Sequence, residues 1–526
     1  MCNINTFVAI FKEFKMKKRN LIITALLFLV TMAQAGGLLT NTNQNIAFNR
    51  NFARDGVIAI DGVYSNPAGV AFLDKGLHLS FNAQSAFQTR DINSSIQFPA
   101  FQGTPYELPF RLNGGNEQGA KYYKGTASAP FIPSVQAALN YEKWGFQASF
   151  ALVGGGGKAT FNDGLGSFER QVAIIPALLA GEGLGSQTPG YSLNSYMNGQ
   201  QYIFGLQLGS TYKFNEHWAA YGGMRFNYVL NKYQGSITDI TANINGQDER
   251  LYDYFEEHSI SLTQQAAQAS ALASTLPAGA QKTALEAAVA QLNAGADKMN
   301  MYKEKVADKY LDCTQTGWGV TPIIGVDFRY GALNIGTRFE FGTNLNIQNN
   351  TKRDDTGMFK DGVNTPNDIP ALWTIGAQYS VLSNVRAMVS YHYYFDKDAD
   401  MADDKQKLLS GNTQEILAGA EWDVTKDVMV SAGMQHTSYG LGDGSFLSDM
   451  SFVTSSTSVG FGASIRVTKN ARLNLAYFWT DYDKFNKSYT MPFKRTETDT
   501  NPIMSNNTDQ FTRTNKVFGA GIDIDF

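Results

Sequence analysis

Two residues near the end of one predicted strand have the spacing of a nucleophilic pair. His436 and Ser438 are two positions apart, so a strand places both side chains on one face, where an imidazole can activate a hydroxyl. The pair has outward parity in its strand, and no acidic residue that would orient the histidine can be identified. The chain has no G-x-S-x-G sequence, and its five histidines form no H-E-x-x-H motif. We therefore predict no enzymatic activity, no metal site and no cofactor.

Basic residues in alternating strands offer a second chemistry, the binding of a carboxylate. A cation whose neighbours along a strand are apolar points to the opposite face from them, which is the lumen if the strand belongs to a barrel. Four basic residues are candidates for contacting a ligand carboxylate: Arg225, Arg338 and Arg386, which have lumenal parity, and Lys158, which directly follows a run of four glycines. For most of them we expect a structural role instead, paired with Asp327, Glu340 or Glu421.

The elements that must carry these residues are β-strands. Leu77 to Thr89 alternates apolar and polar side chains, and Thr514 to Phe526 does the same and ends on an aromatic residue. Similar segments joined by short turns give about fourteen strands between 77 and 526, with the fourth beginning at Gln201 and the last at Phe511. An even strand count, with short turns at one end and long loops at the other, predicts an all-β transmembrane barrel.

The N-terminus and the composition are consistent with a barrel that is exported to a membrane. A basic start at 16–19, an apolar run at 21–32 and Ala33-Gln34-Ala35 predict a signal peptide over 1–35. Residues 1–15 are either an extended n-region or the product of a start codon upstream of Met16. The chain is 13% aromatic, yet its mean hydropathy is only -0.24, which suits a wall with one face in lipid and one in water. A net charge of -4 gives no indication of nucleic acid as a partner.

Two further segments differ from the strands. The longest predicted loop, 241–314, is Ala-rich from Ser261 to Lys309 and is interrupted at Pro277, which predicts two helices and a bend. This extracellular cap could capture ligand or could be a solvated cover without a ligand role. The segment 36–76 is too apolar for a solvated tail and contains glycines that permit tight turns, so we predict a plug, or hatch, inside the lumen.

Two short motifs lead to a family. Asn66-Pro67-Ala68-Gly69 lies in the predicted hatch. Four consecutive glycines lie in the third strand, where they weaken pairing and permit a kink: Gly154, Gly155, Gly156 and Gly157. With the strand count, the helical loop and the terminal Phe526, these motifs resemble the FadL/TodX family of outer-membrane transporters for long-chain fatty acids and other hydrophobic molecules.

The resemblance implies a fold and a function. The fold is a fourteen-stranded barrel (77–526) around an N-terminal hatch (36–76), in the outer membrane of a bacterium. The function is passive uptake of a hydrophobic ligand, a long-chain fatty acid or hydrocarbon, gated at Asn66-Pro67-Ala68 and released sideways through the kink at Gly154–Gly157. Expected partners are that ligand, lipid or detergent in the lumen, and outer-membrane lipid or lipopolysaccharide around a monomer. A porin for polar solutes and a non-transporting surface barrel or adhesin remain alternatives.

Overall fold

The structure is a computed structural model that describes residues 38–494 and 499–526. The predicted signal peptide, 1–35, and the first two residues of the predicted hatch lie outside the described residues. All elements below are numbered in chain order.

Fourteen antiparallel strands form a closed barrel, which confirms the predicted fold class. Each strand pairs with its neighbour along the chain, and the last pairs with the first, Leu79 lying opposite Ile524. The strands of the closed ring are β1 (Gly76–Gln97), β2 (Ala120–Asn140), β3 (Trp144–Phe161), β4 (Tyr191–Lys213), β5 (Trp218–Ile244), β7 (Lys309–Tyr330), β8 (Leu333–Glu340), β11 (Leu372–Leu382), β12 (Val385–Tyr394), β13 (Gln414–Asp423), β14 (Val428–Ser438), β15 (Ser456–Arg466), β16 (Ala471–Tyr482) and β18 (Ile503–Asp525).

Four shorter strands extend the sheet beyond this ring at the end with the long loops: β6 (Gln247–Arg250), β9 (Asn346–Asp354), β10 (Asn364–Pro366) and β17 (Phe485–Phe493). Several ring strands also start earlier than predicted, β4 at Tyr191 rather than Gln201 and β18 at Ile503 rather than Phe511. These ends extend beyond the membrane. Their inward side chains, such as Met197 and Asn507, are buried, but their outward side chains, such as Ser192 and Thr508, are polar and exposed, so they lack the apolar alternation on which the prediction relied.

Side chains alternate between the two faces of the wall as a membrane barrel requires. The outward face is apolar, with exposed residues such as Phe146, Phe226, Ile324, Val389 and Phe461, and the inward face is polar, with buried residues such as Gln147, Asn227, Thr321, Ser390 and Gln435. A belt of exposed aromatic side chains marks the rim with the short turns: Tyr141, Trp144, Phe214, Trp218, Tyr330 and Trp422. The chain is thus a barrel of the bacterial outer membrane, with its short turns at the periplasmic side.

The helices lie in the long loops and in the N-terminal segment: α1 (Ile46–Arg50), α2 (Gly62–Ser65), α3 (Gly166–Ala173), α4 (Ile175–Gly181), α5 (Leu251–Thr275) and α6 (Ala280–Val306). The last two form the predicted hairpin, which begins about ten residues earlier than expected and packs along a seam of Ala266, Ala269 and Leu292. The short helices α3 and α4 were not predicted. Across the described ranges, no helix is both long and apolar enough to span a bilayer.

The segment from Leu38 to Lys75 lies within the ring of strands. Its short helix α1 packs against β14, β15, β16 and β18, while α2 packs against β2 and β3 on another side of the wall. Wall amides donate to its backbone carbonyls: Gln207 to Val63 at 2.8 Å and Asn140 to Val70 at 2.7 Å. Since these contacts come from many strands, the segment crosses the interior of the barrel.

Candidate functional site

The wall of the barrel is interrupted between β2 and β3. The two strands are paired from Asn140 to Ser134 and again from Ser128 onward, but residues 129–133 of β2 have no partner in β3. The facing residues of β3, from Leu152 to Gly157, stay joined to β4 through two register shifts. The strand therefore bends away from β2 and leaves a gap in the side of the barrel.

Residue types on both sides explain the gap. In β2, Pro130 and Pro133 lack the N–H that a ladder requires. In β3, Gly155 has a φ of +68°, a left-handed conformation that favours glycine, and a Cβ there would overlap the carbonyl of Gln201. The sequence therefore specifies a bulge in one strand and missing donors in the other.

The four glycines predicted to form the lateral opening all belong to β3 at the level of the gap. Gly154 and Gly155 pair with β4, and Gly156 and Gly157 fall within the second register shift, between Gly155 and Lys158. The surroundings of Gly154, Gly155 and Gly157 are described, whereas those of Gly156 lie outside the described part of the structure. A separate role of Gly156 in the opening therefore stays a prediction.

The gap lies within the membrane. Val153 follows Trp144, at the periplasmic rim, by nine residues, which is about 30 Å along the strand. At a tilt of about 40°, this corresponds to a height of about 23 Å in an apolar band about 25 Å tall. The gap therefore opens toward the outer half of the hydrocarbon layer, on the side of the long loops.

The first described residues of the N-terminal segment cover the gap from inside. The backbone N–H of Asn41 donates to the carbonyl of Val153 at 2.8 Å, and its side-chain amide donates to the carbonyl of Gly155 at 2.7 Å. The Leu39 carbonyl lies against the Cα of Gly154, where no Cβ would fit. This segment thus provides hydrogen-bond donors that β2 does not provide, and we name Leu38–Asn41 the inner seal.

An apolar patch adjoins the seal inside the otherwise polar lumen. Val153 belongs to a buried cluster with Ile203 of β4 and Val229 of β5, and the strand register places Ile203 opposite both Gly154 and Val229. The cluster also includes Leu345, Ile347 and Ile369. The inner face of the wall beside the gap is therefore apolar, unlike the polar inner face nearer the periplasm.

A cavity of about 120 Å³ lies above this patch, beneath the extracellular cap. Its walls come from α3, α4, β5, the end of α6, β7, β17 and two long loops. They are mostly apolar: Phe168, Val172, Ile175, Ile237, Met358, Met450 and Met491. The large buried cluster that surrounds the cavity also contains Leu38 and Leu39 of the inner seal. Contiguous apolar packing therefore joins the cavity to the gap.

Charged side chains hold the middle of the N-terminal segment to the opposite wall. Glu421 of β13 accepts hydrogen bonds from Arg50 at 3.0 Å and from Arg54 at 2.7 Å, and Arg54 also donates to Asp61 at 2.7 and 2.8 Å. All four side chains are at most 5% exposed. Ion pairs at such depth are strongly destabilised by the loss of one partner, so this cluster fixes the segment in the lumen.

A buried imidazole adds a second charged link. Both ring nitrogens of His392 lie 2.8 Å from a carboxylate oxygen, one on Asp55 of the N-terminal segment and the other on Glu415 of β13. Only a doubly protonated imidazole donates to two carboxylates at once. His392 therefore joins the segment to the wall as a cation.

The motif Asn66-Pro67-Ala68-Gly69 lies away from the gap. The Asn66 amide donates to Asp327 at 2.6 Å, and the carbonyl of Pro67 accepts from Gln147 at 2.7 Å. Ala68 is buried against wall residues, and the N–H of Gly69 donates to the side chain of Asn66. Gln147 precedes Val153 by six residues, about 20 Å along β3. The motif is therefore an anchored turn on the periplasmic side of the gap.

The four predicted carboxylate-binding cations are placed as follows. Lys158 is exposed on the outward side of β3, so its position directly after the glycines does not make it lumenal: the two one-residue register shifts together leave the parity of the strand unchanged, and Lys158 shares the face of Phe146 and Phe150. Arg225 pairs with Glu340. Arg338 lies 3.4 Å from Glu340 and stacks on the ring of Tyr64. Arg386 lies 2.6 Å from Asp423 and 3.3 Å from Glu421. The three arginines thus have the structural pairing that the sequence suggested for most of them.

The pair His436 and Ser438 lies on the lipid-facing side of β14, where the imidazole is 3.1 Å from the hydroxyl of Thr457. In this position it is remote from the lumen and from the cavity.

Comparison with solved structures aligns the whole barrel. A FadL homologue from Pseudomonas aeruginosa matches over 93% of this chain and 100% of that chain, with a TM-score of 0.55 and 12% identity. The chain has the FadL-type fold. The toluene transporters TbuX of Ralstonia pickettii and TodX of P. putida each match over 89% of this chain and 94% of theirs, with TM-scores of 0.47 and 0.46 and identities of 10% and 11%. No family model and no curated protein matches the sequence.

Two parts of the site in this FadL-type barrel were missed from sequence. The first is the pair Pro130 and Pro133, although prolines inside an apolar segment signal a break in strand pairing. The second is Asn41, which carries no local signal, because its role depends on a strand more than a hundred residues away. The glycine run was recognised because its effect on pairing is local.

We predict that Glu421→Gln loosens the N-terminal segment. The change leaves Arg50, Arg54 and Arg386 without their shared carboxylate charge, and loss of one partner of a buried ion pair costs about 3–5 kcal/mol. In planar bilayers, the variant should show a severalfold higher ion conductance than the parent protein. Glu117→Gln, which removes an 82% exposed carboxylate paired with Arg111, is the control and should leave conductance unchanged. Equal conductance of both variants would contradict the anchoring role.

We also predict that the two glycines Gly155 and Gly157 differ in tolerance. Gly155→Val forces a β-branched residue into a left-handed conformation that costs about 1–2 kcal/mol and adds an overlap with Gln201. A Cβ at Gly157 has its nearest contact at 3.6 Å, so Gly157→Val should fold normally. The urea midpoint of each variant in detergent, followed by tryptophan fluorescence, measures the difference. Equal midpoints would show that the bulge does not require Gly155.

Proposed function

We propose that this protein takes up long-chain fatty acids or similar hydrophobic molecules passively and releases them sideways into the outer membrane. The supporting observation is the gap between β2 and β3, sealed from inside by Leu38–Asn41 and continuous with apolar packing up to the cavity. No step requires catalysis or an energy source, because the ligand moves from water into lipid.

The solubility of the ligand is the physical reason for a side exit. Transfer of each CH₂ group from water to an apolar environment is favourable by roughly 0.8 kcal/mol. Passage of a sixteen-carbon chain from an apolar site into an aqueous bore would therefore cost about 12 kcal/mol of transfer free energy. An opening at the level of the hydrocarbon layer delivers the chain directly to lipid. The aromatic and aliphatic residues outside the gap, such as Phe131 and Phe150, provide an apolar exit surface.

The N-terminal segment acts as the hatch in this proposal, and its two parts have different roles. Charged contacts at Glu421 and His392 hold the middle of the hatch, and hydrogen bonds hold the turn at Asn66-Pro67-Ala68. The inner seal is tied to β3 by two neutral hydrogen bonds from Asn41. A ligand arriving from the cavity would displace the seal, the weaker contact, while the rest of the hatch continues to block polar solutes.

The two alternative functions explain less of the molecule. A porin for polar solutes requires an open wet bore, whereas the hatch crosses the lumen and is anchored on several strands. A surface barrel without transport does not explain the prolines and glycines that interrupt the wall. It also does not explain why Asn41 of the inner seal donates hydrogen bonds to the β3 carbonyls that β2 leaves unpaired.

Filling the gap should stop uptake. Gly157→Phe places a ring between β3 and β2, near Ser128, where the backbone leaves room for a side chain. Cells carrying the variant should take up radiolabelled hexadecanoate at less than about a tenth of the parent rate, because the exit is blocked while the cavity is intact.

The matched control is Gly222→Phe, which adds the same side chain to the outward face of β5 at a position with no neighbour within 4 Å of the new Cβ. It should transport at the parent rate. Surface labelling and heat-modifiable mobility establish that both variants reach the membrane folded. Normal uptake by Gly157→Phe would refute lateral release.

A further inference from the structure

Three exposed lysines form a row on the lipid-facing side of the wall, and we name Lys158, Lys232 and Lys516 the lysine row. Lys158 of β3 and Lys232 of β5 are both aligned with Gln200 of β4, which lies between them. On the other side, Lys158 is aligned with Ser128 of β2 and, through β1, with Lys516 of β18. Neighbouring strands are about 4.8 Å apart, so the row crosses six strands over about 24 Å of wall.

The lysine row borders the gap on the side of the long loops. Gln200, the partner of Lys158, lies three residues closer to the loop end of β4 than Ile203, the partner of Gly154. This separation is about 10 Å along the strand and about 8 Å in height, which places the row just outside the apolar band. Ser128, opposite Lys158, is also the residue at which β2 resumes its pairing with β3. The row therefore lies at the outer surface of the membrane, directly above the opening.

The charge of the lysine row is not neutralised by the protein. Within the described ranges, no carboxylate forms an ion pair with any of its three ammonium groups, and Asp312 of β7, diagonal to Lys232 in the register, is no exception. Exposed lysines on the opposite side of the barrel have acidic neighbours in sequence: Lys397 precedes Asp398, and Lys484 follows Asp483. The outer rim thus carries an excess of positive charge on the side with the gap.

An apolar hollow lies below the row, on the lipid-facing side of the wall. Along β18, the outward positions after Lys516 are Phe518 and Ala520. Ala520 is aligned with Ala83 of β1, and these two short side chains leave a depression among larger ones. Phe131, in the unpaired part of β2, also lines the hollow, which therefore reaches the edge of the gap.

We propose that this face of the barrel binds a lipopolysaccharide molecule of the outer leaflet, with the phosphates of its head group on the lysine row and an acyl chain in the hollow. Lysine ammonium groups donate charge-assisted hydrogen bonds to phosphate, and clusters of basic residues at a membrane surface recognise anionic lipids. Positive charge above an apolar hollow matches the shape of such a lipid. The bound lipid covers the gap from outside, as the inner seal covers it from inside. The site lies outside the lumen, and its occupation does not depend on uptake.

Binding of two lipids that differ only in their phosphates tests the proposal. Purified full-length protein in a non-ionic detergent is titrated with lipid A, the phosphorylated anchor of lipopolysaccharide, and with lipid A from which the phosphates have been removed. Native mass spectrometry measures the bound lipid. We expect the combined variant Lys158→Gln, Lys232→Gln and Lys516→Gln to weaken lipid A binding by about tenfold or more and to leave binding of the dephosphorylated lipid nearly unchanged.

The matched control changes three exposed lysines of the periplasmic turns, Lys143→Gln, Lys426→Gln and Lys469→Gln, and should bind lipid A like the parent protein. An equal loss of affinity in both triple variants would point to net charge instead of a site and would overturn the proposal. Equal binding of the two lipids by the parent protein would also overturn it. Heat-modifiable mobility establishes that both variants are folded.

A second variant tests the hollow. Ala83→Leu combined with Ala520→Leu adds apolar side chains that lipid accommodates, and by filling the hollow it should weaken binding of lipid A severalfold; unchanged binding would show that the hollow holds no acyl chain. Uptake of radiolabelled hexadecanoate by cells tests a different occupant of the lysine row. If the triple variant slows uptake while lipid A binding is intact, the row receives the carboxylate of the released ligand, and the lipid assignment is wrong.

Discussion

A backbone placed in lipid must find a partner for every N–H and C=O. Between β2 and β3 the structure departs from that rule and compensates for it from inside. The β2–β3 ladder stops over residues 129–133, where two prolines lack donors and a glycine bulge turns β3 aside. The carbonyls of Val153 and Gly155 then bond to Asn41 of the N-terminal segment. The wall and the N-terminal segment are thereby one hydrogen-bonded system, so in the proposed function displacement of the seal opens the side of the barrel.

The contacts of the N-terminal segment, the proposed hatch, are distributed unequally, and in the proposed function this inequality gives it a fixed and a releasable part. Arg50 and Arg54 converge on Glu421, and His392 joins Asp55 to Glu415, so the far wall holds the hatch through buried charges. Near the gap, the contacts are neutral hydrogen bonds and apolar packing of Leu38 and Leu39. Neutral hydrogen bonds contribute about 1 kcal/mol each, whereas separating buried charges costs several times more. Displacement of the seal alone is therefore the least costly opening.

The sequence predicted the architecture well because barrel strands follow a local rule, the two-residue period of apolar side chains. It placed the strands within the membrane and the helical hairpin correctly, and its glycine run coincides with the bend in β3. It failed where the rule ends, at strand extensions in water such as 191–200, and in the loop helices α3 and α4. Side-chain roles depended on long-range contacts: the position of Lys158 after the glycines did not make it lumenal, and no local pattern could show that Asn41 would meet Gly155.

The most direct test of the account is to map where a ligand travels. A hexadecanoic acid with a photoreactive diazirine at the end of its tail is added to cells, cross-linked during uptake, and the labelled residues are identified by mass spectrometry. Lateral release predicts labels on residues 129–133 and 152–157 and on the cavity wall, because the tail leaves through the gap. Labels along the turn at Asn66 and the inward side chains near the periplasmic rim, with none at the gap, would show passage straight down the bore and would contradict lateral release.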